Sequence, residues 1–215
     1  MRINHVIIFS DRQGQEADEL VQGGLTEGSN RVHPGQGTRN RKFYFSNFFL
    51  EIAWIIDARE IRSPLTAPTK LWQRANHRQN GCSPFGLCLD SSEELHDLFK
   101  NALEYRPTYL PTGQSFDILT NEQSEYLPWT CRLPSSDPGA LALEPTNHKL
   151  GIKILTKVKF GIPKKDYQNI YTNFFKDESR IDFVYDTQYT LTLEFDGGKE
   201  GQKKLFNSIP LTIAY

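Results

Sequence analysis

The chain has 215 residues, 38% of them hydrophobic and 12% aromatic, and a formal net charge of -1 at pH 7. That composition belongs to one large or two small folded domains with a real core, and not to a disordered chain. There is no basic excess to neutralise phosphates, which argues against a nucleic-acid partner.

The longest apolar run, Phe48 to Ile56, is broken by Glu51 and falls well short of the roughly 20 residues that span a bilayer. The N-terminus lacks the basic region, apolar stretch and cleavage site of a secretion signal. The expectation is a cytoplasmic protein with no membrane partner. Cys82, Cys88 and Cys131 are odd in number and form no CxxC pair, so they read as reduced, partly buried thiols and not as a disulfide framework or a zinc ribbon.

Ile3 to Phe9 is β-branched and aromatic and predicts a buried strand. Gln15 to Gln22 has apolar residues at helical spacing and is stopped by Gly23-Gly24. Leu25 to Glu27 reads as a short strand. Asn30 to Asn40 reads as a loop rich in Gly, Pro, Asn and Arg. Strands follow at Lys42 to Ser46 and Phe48 to Ile56. Ser63 to Arg78 is less regular, with a short helix; Arg74 and Arg78 beside His77 are expected at the surface.

Pro84 to Leu89 is the next strand, followed by a helix from Glu93 to Leu103 and strands at Phe116 to Leu119 and Trp129 to Leu133. Pro134 to Asn147 contains three prolines and reads as a linker. The last third predicts a strand at Lys153 to Phe160 and a helix carrying Tyr167, Ile170, Tyr171 and Phe174. Strands at Ile181 to Tyr185 and Tyr189 to Phe195 precede a closing strand within Leu205 to Ala214.

Strand-helix-strand-strand thus opens and closes the chain. Asn4-His5-Val6 matches Thr156-Lys157-Val158, and Leu50-Glu51 matches Leu193-Glu194. This predicts an internal duplication, with residues 84 to 133 as a partial third copy. Glu51 is the sharpest anomaly. A carboxylate among Phe49, Leu50, Ile52 and Ala53 costs too much in hydrocarbon unless it is paired or faces a solvated concavity.

Three stretches carry a family resemblance: Ile3-Asn4-His5-Val6-Ile7-Ile8, the loop His33-Pro34-Gly35-Gln36-Gly37-Thr38-Arg39-Asn40-Arg41, and Leu50-Glu51-Ile52-Ala53-Trp54. Together they resemble the glyoxalase-like branch of the vicinal-oxygen-chelate superfamily, most strongly over 1–90. The resemblance implies an α+β fold of paired βαβββ modules forming a curved mixed sheet, a half-barrel with its helices outside. It places an N-terminal module at 1–60, a connecting segment with a partial βα unit at 61–135, and a C-terminal module at 136–215, as one unit.

It also implies a site in the concave face. His5, Glu51 and Glu194 would ligate a divalent metal (Zn, Ni, Mn, Fe or Mg), with Glu51 and Glu194 as catalytic carboxylates. His33, Gln36, Thr38, Asn40, Arg41 and Trp54 would bind substrate. Lys157 falls on the fourth ligand position and has no lone pair to offer as a cation.

Two readings stay open. One is a metal-dependent isomerase, lyase or dioxygenase acting on a small oxygen-rich substrate. The other is a metal-free binding protein on the same fold, in which Lys157 replaces the metal charge. A small-molecule ligand is the expected partner in both, and paired modules also suggest a homodimer. His148 is a more remote ligand candidate.

Overall fold

β1 (Ile3–Phe9) is buried along its whole length, as its β-branched run predicts. It lies at the centre of the first of two sheets in the computed structural model, which describes residues 1–134 and 143–215. Around it come α1 (Glu16–Gln22), β2 (Val32–His33), β3 (Thr38–Tyr44) and β4 (Phe49–Ile55). Two short helices, α2 (Leu71–Ala75) and α3 (His77–Asn80), lead into β5 (Phe85–Asp90), β6 (Leu103–Tyr105), β7 (Phe116–Leu119) and β8 (Trp129–Leu133).

These eight strands form one sheet in the order β2-β3-β4-β1-β5-β8-β7-β6. β4 runs parallel to β1, β5 antiparallel to β1, and β8 parallel to β5. Each half is therefore a βαβββ module, or its close equivalent, and the two join along β1 and β5. The α+β fold of paired modules is what the resemblance implies. The partner of the first module is the middle of the chain, residues 85 to 133, which the sequence pattern marks only as a partial copy.

The last third builds its own sheet from β9 (Leu155–Ile162), β10 (Ile181–Tyr185), β11 (Thr190–Phe195), β12 (Lys203–Phe206) and β13 (Leu211–Ala214), with α4 (Ile170–Phe174) between β9 and β10. Its order is β10-β9-β11-β13-β12, with parallel, antiparallel, parallel and antiparallel pairings in turn. The run β4-β1-β5-β8-β7 in the first sheet has the same sense of pairing at every step. The C-terminal sheet is thus an abbreviated copy of the whole N-terminal sheet. In this alignment β9 answers to β1, β10 to β4 and β11 to β5.

Period-two alternation divides each strand between two faces. Val6, Ile8, Leu50, Ile52, Phe85 and Leu87 face a core shared with Val158, Phe160, Leu191 and Leu193 of the second sheet. Phe45 packs on Phe195 in a tilted arrangement with ring centroids 4.4 Å apart, and Phe85 meets Phe160 at 6.0 Å. Each such side chain contributes about 1.5–3 kcal/mol by leaving water. Asn47 ties the sheets by a reciprocal pair of bonds, donating to Leu155 O at 3.0 Å and accepting from Leu155 N at 2.9 Å.

His148 accepts from Thr26 N at 2.9 Å and its Nε2 donates to Tyr44 O at 2.8 Å. Both ring nitrogens serve as backbone ties, so this histidine is structural. The second face of the N-terminal sheet carries a separate cluster that includes Ile7, Phe9, Ala53, Cys88, Trp129 and Cys131.

Several local expectations change. Leu25 to Glu27 forms no strand, and the segment after Ser92 forms a 3-10 turn at Glu93–Leu95 where a helix to Leu103 was expected. The helix expected from Pro163 forms only at Ile170–Phe174, where Asn169 and Thr172 make a capping box. Arg74 is buried, contrary to the expected surface position. Residues 135–142 of the expected Pro134–Asn147 linker lie outside the described residues. Among the described residues no helix is long and apolar enough to cross a membrane.

Candidate functional site

The second face of the N-terminal sheet encloses a cavity of about 530 Å³. β1 contributes His5, Ile7 and Phe9; β3 contributes Thr38, Asn40, Lys42 and Tyr44; β4 contributes Phe49, Glu51 and Ala53; Cys88 and Cys131 come from β5 and β8. These are alternate residues on each strand, so a single parity choice places the whole set.

His5 and Glu51 are both buried, with Nε2 and Oε2 3.4 Å apart. A directed chain of hydrogen bonds fixes the imidazole. Asn4 donates through Nδ2 to Asp90 at 2.7 Å, which leaves its Oδ1 to face His5 Nδ1 at 2.7 Å. The proton of neutral His5 therefore sits on Nδ1, and the Nε2 lone pair faces Glu51. The ring also stacks on Phe49 with centroids 4.3 Å apart.

Burial lowers the His5 pKa to about 3, with the positive charge of Lys42 and then His33 acting in the same direction. Burial raises the Glu51 carboxyl above its ordinary value, against the opposing effects of the Asn40 hydrogen bond and Lys42. Both shifts favour the uncharged form of each partner, so a proton moved from Glu51 to His5 would create two buried charges at once.

The His33–Asn40 loop and strand supply the polar wall. Asn40 donates to Glu51 Oε1 at 2.9 Å and accepts from Arg31 N at 2.7 Å. Gln36 donates to Thr38 Oγ1 at 2.7 Å, and that hydroxyl also meets His33 Nδ1 at 2.9 Å. Tyr109 donates to Gln36 Oε1 at 3.0 Å, and its ring lies 4.9 Å from that of His33. Burial lowers the His33 pKa to about 4, helped by Arg31 and Lys42.

Gly37 shapes this wall. Its φ is +75°, and an added Cβ would lie 2.3 Å from Asp57 O and 2.8 Å from Ile61 N. Both neighbours are backbone and cannot swing aside. Gly37→Ala is therefore expected to lower stability by about 2–4 kcal/mol, combining left-handed strain with a backbone clash. A urea-unfolding midpoint within error of the parent would contradict this.

Of the residues expected at the site, His5, His33, Gln36, Thr38, Asn40 and Glu51 line this one cavity. Arg41 and Trp54 do not. Arg41 is one residue out of phase with Asn40 and Lys42, and it pairs instead with Glu27 and Asp18. Trp54 is out of phase with Ala53 and packs over Gly14, where an added Cβ would lie 2.5 Å from the indole ring. A loop would let residues 38 to 41 all face one way, whereas the strand they form splits them between two faces.

Glu194 lies on β11 in the other sheet, where Thr156 Oγ1 donates to its Oε1 at 3.1 Å. It is paired in register with Lys157, which faces Asp182 at 3.5 Å. The topological copy places β11 opposite β5, so Leu193-Glu194 and Leu50-Glu51 are not equivalent positions. The positions in register across the first sheet are His5, Cys88 and Cys131.

The two thiols are buried and unoxidised, and burial pushes Cys88 well above the ordinary thiol range. Among the described residues no cluster of three or more His, Cys, Asp or Glu side chains is gathered to hold a metal ion. His5 and Glu51 offer one nitrogen and one carboxylate, and the expected third ligand is elsewhere. The donor set does not fit the three-ligand divalent centre that the resemblance implies.

A second depression of about 380 Å³ surrounds α4 and includes Lys157, Tyr167 and Asp182. Its Asp182 and Glu178 are engaged by Lys157 and Arg180, so it offers less free chemistry.

Several cavity residues were not among those expected from the sequence: Asn4, Arg31, Lys42, Phe49, Cys88, Tyr109 and Cys131. Alternation from Asn40 and Glu51 points to Lys42 and Phe49. The register of β5 and β8, and the return of Tyr109, have no local signal.

No family model and no curated protein matches the chain. Among solved structures, a hypothetical protein from Staphylococcus aureus superposes with a TM-score of 0.56 at 11% identity, covering 99% of this chain and 97% of that one. This likeness is one of fold. A hypothetical protein from Bacillus halodurans C-125 gives a TM-score of 0.41 at 14% identity, covering 63% and 95% of the two chains. A methylmalonyl-CoA epimerase gives 0.40 at 13% identity, covering 64% and 97%.

Proposed function

We propose that the N-terminal paired module is a small-molecule enzyme that moves a proton on its bound ligand, as in isomerase or lyase chemistry, with Glu51 as the acid-base group and His5 as the neutral partner that positions it. The observation that carries this reading is the buried His5–Glu51 contact of 3.4 Å on the wall of a 530 Å³ cavity. Two titratable groups displaced from their ordinary values in one concavity are a common mark of a working site.

In the proposed step Glu51, as carboxylate, takes a proton from an acidic C–H or O–H of the ligand. The Glu51 carboxyl then returns the proton elsewhere on the ligand, while neutral His5 holds its Nε2 lone pair towards that carboxyl and keeps it oriented. Removal and return balance, so the step needs no oxidant. Asn40, bonded to the other oxygen of Glu51, sets the carboxyl plane. The Asn4–Asp90 chain keeps the Nδ1 proton in place. Apolar neighbours such as Ile7 and Phe9 limit water around the transfer.

The second reading, a binding protein without turnover, draws on the same cavity and its largely apolar lining. Proton NMR in deuterium oxide separates the two, using a panel of small carboxylates that bear an acidic C–H. The enzyme reading expects deuterium uptake into a bound compound, reduced about 100-fold or more in Glu51→Gln, the usual size of a general-base effect. Uptake equal in the parent and in Glu51→Gln would remove Glu51 from the chemistry. Binding without uptake across the panel would favour sequestration.

A further inference from the structure

We infer that the cavity is built for an amphipathic organic anion, with its apolar body on a lining that includes Phe9, Phe116 and Trp129 and its oxyanion head held by Arg31 and Lys42. This rests on the small-molecule reading of the cavity and adds the class of ligand.

The charges lining the cavity are unevenly committed. Among the described residues that line it, Arg31 and Lys42 are the cations, and Glu51 and Glu144 the carboxylates. Glu144 accepts from Ser29 through both the backbone N–H and the hydroxyl, and, against burial, these bonds together with the charge of Lys42 hold its carboxyl below its ordinary value. Glu51 is buried beside His5, and its Oε1 is already held by Asn40. The cations meet aromatic faces and a carbonyl. The Arg31 guanidinium lies 5.0 Å from the Tyr109 ring centre and its Nη2 donates to Tyr109 O at 3.1 Å. Lys42 Nζ lies 5.2 Å from the Tyr44 ring centre and 5.7 Å from that of Phe49.

Aromatic faces orient a cation without neutralising it, so Arg31 keeps its charge for an incoming anion and Lys42 divides its own between that anion and Glu144. The two are also near neighbours. Arg31 O accepts from Asn40 N at 3.0 Å, and Asn30 Oδ1 accepts from Lys42 N at 3.2 Å. Their fields converge on His33. Arg31 is exposed and Lys42 half-buried, whereas Phe9 and Trp129 are buried. The site therefore grades from a charged opening to an apolar interior, which matches a ligand with one anionic end.

The test uses two fluorescent probes that share an apolar body, 1-anilinonaphthalene-8-sulfonate and the neutral N-phenyl-1-naphthylamine. The anionic probe is expected to bind about tenfold more tightly. Lys42→Gln and Arg31→Gln should each weaken it roughly fivefold and leave the neutral probe unchanged, a size typical of a partly exposed charge-assisted contact. Raising the salt concentration on the unaltered protein should weaken the anion alone, which keeps the inference testable if a variant misfolds.

Equal affinity for the two probes, or variants that weaken both alike, would overturn the anion inference and leave the cavity reading standing. Ala53→Phe, which narrows the cavity, is expected to displace both probes. Unchanged binding of both in that variant would place them elsewhere and overturn the cavity reading too.

Discussion

Replacement of Arg74 by methionine is expected to destabilise the protein by about 3–5 kcal/mol, the range for removing one partner of a buried charged network. Arg74 is only 2% exposed, yet no carboxylate meets it among the described ion pairs. Its Nη1 donates to Glu125 O and Leu127 O, each at 2.8 Å, and more weakly to Ser83 O at 3.4 Å; its Nη2 donates to Thr120 O at 2.7 Å.

One guanidinium thus ties α2 to the approach to β5 and to the turn between β7 and β8. Methionine keeps much of the apolar stem but leaves these carbonyls without their donor, and each orphaned buried group costs about 1–3 kcal/mol. Lysine keeps a charge but has a single ammonium in place of a planar fork, so Arg74→Lys should fall between parent and Arg74→Met. Urea unfolding followed by circular dichroism reads this directly, as a lower midpoint with an unchanged slope. A midpoint for Arg74→Met within the error of the parent would show that the carbonyls find other partners.

Arg74 also shows where sequence reading stops. Beside His77 and Arg78 it has the local look of a solvated charge, and nothing nearby announces four carbonyls from residues 83 to 127. Glu51, by contrast, is legible because it breaks an apolar strand and so demands a polar environment, and His5 is legible only through the family resemblance of its strand. The His33–Thr38 loop was legible because its glycines and proline fix a turn.

The second half of the site was not legible. Cys88 and Cys131 reach the cavity through the registers of β1 with β5 and of β5 with β8, which no local pattern reports. The resemblance implies Glu194 as the late-strand carboxylate of a second module, but the copied sheet aligns its strand with β5. Arg41 and Trp54 were lost to parity, because a residue one step from a cavity position on a strand must face the opposite side.

Acidification is expected to weaken the fold before its carboxylates titrate, and His5 is the reason. Its folded pKa is about 3 against an ordinary value of 6.5, because burial disfavours the imidazolium. Below pH 6.5 the unfolded chain binds a proton that the folded chain refuses, so stability falls as pH falls. At 1.36 kcal/mol for each unit, His5 alone removes about 2 kcal/mol between pH 6.5 and pH 5.

His33, lowered to about 4, acts in the same direction, as do His77 and His148. Glu51 acts oppositely, because its raised pKa gives stability that is present at low pH and lost as pH rises through the folded value. Ordinary carboxylates such as Glu27, held low by Arg41, begin to lose their contribution only near pH 4.5. The interval from pH 6.5 to 5 therefore lies above the ordinary carboxylates and sets the histidines against Glu51, so the His5 contribution is read as the difference between parent and variant.

His5→Gln should flatten the fall in unfolding free energy over that interval by about 2 kcal/mol. Nitrogen-15 NMR of the imidazoles should show His5 still neutral at pH 5, with its proton on Nδ1. A His5 that titrates near 6.5 would mean that the ring is hydrated, and it would also strip the Glu51 pair of the low-dielectric setting on which the proposed proton transfer depends.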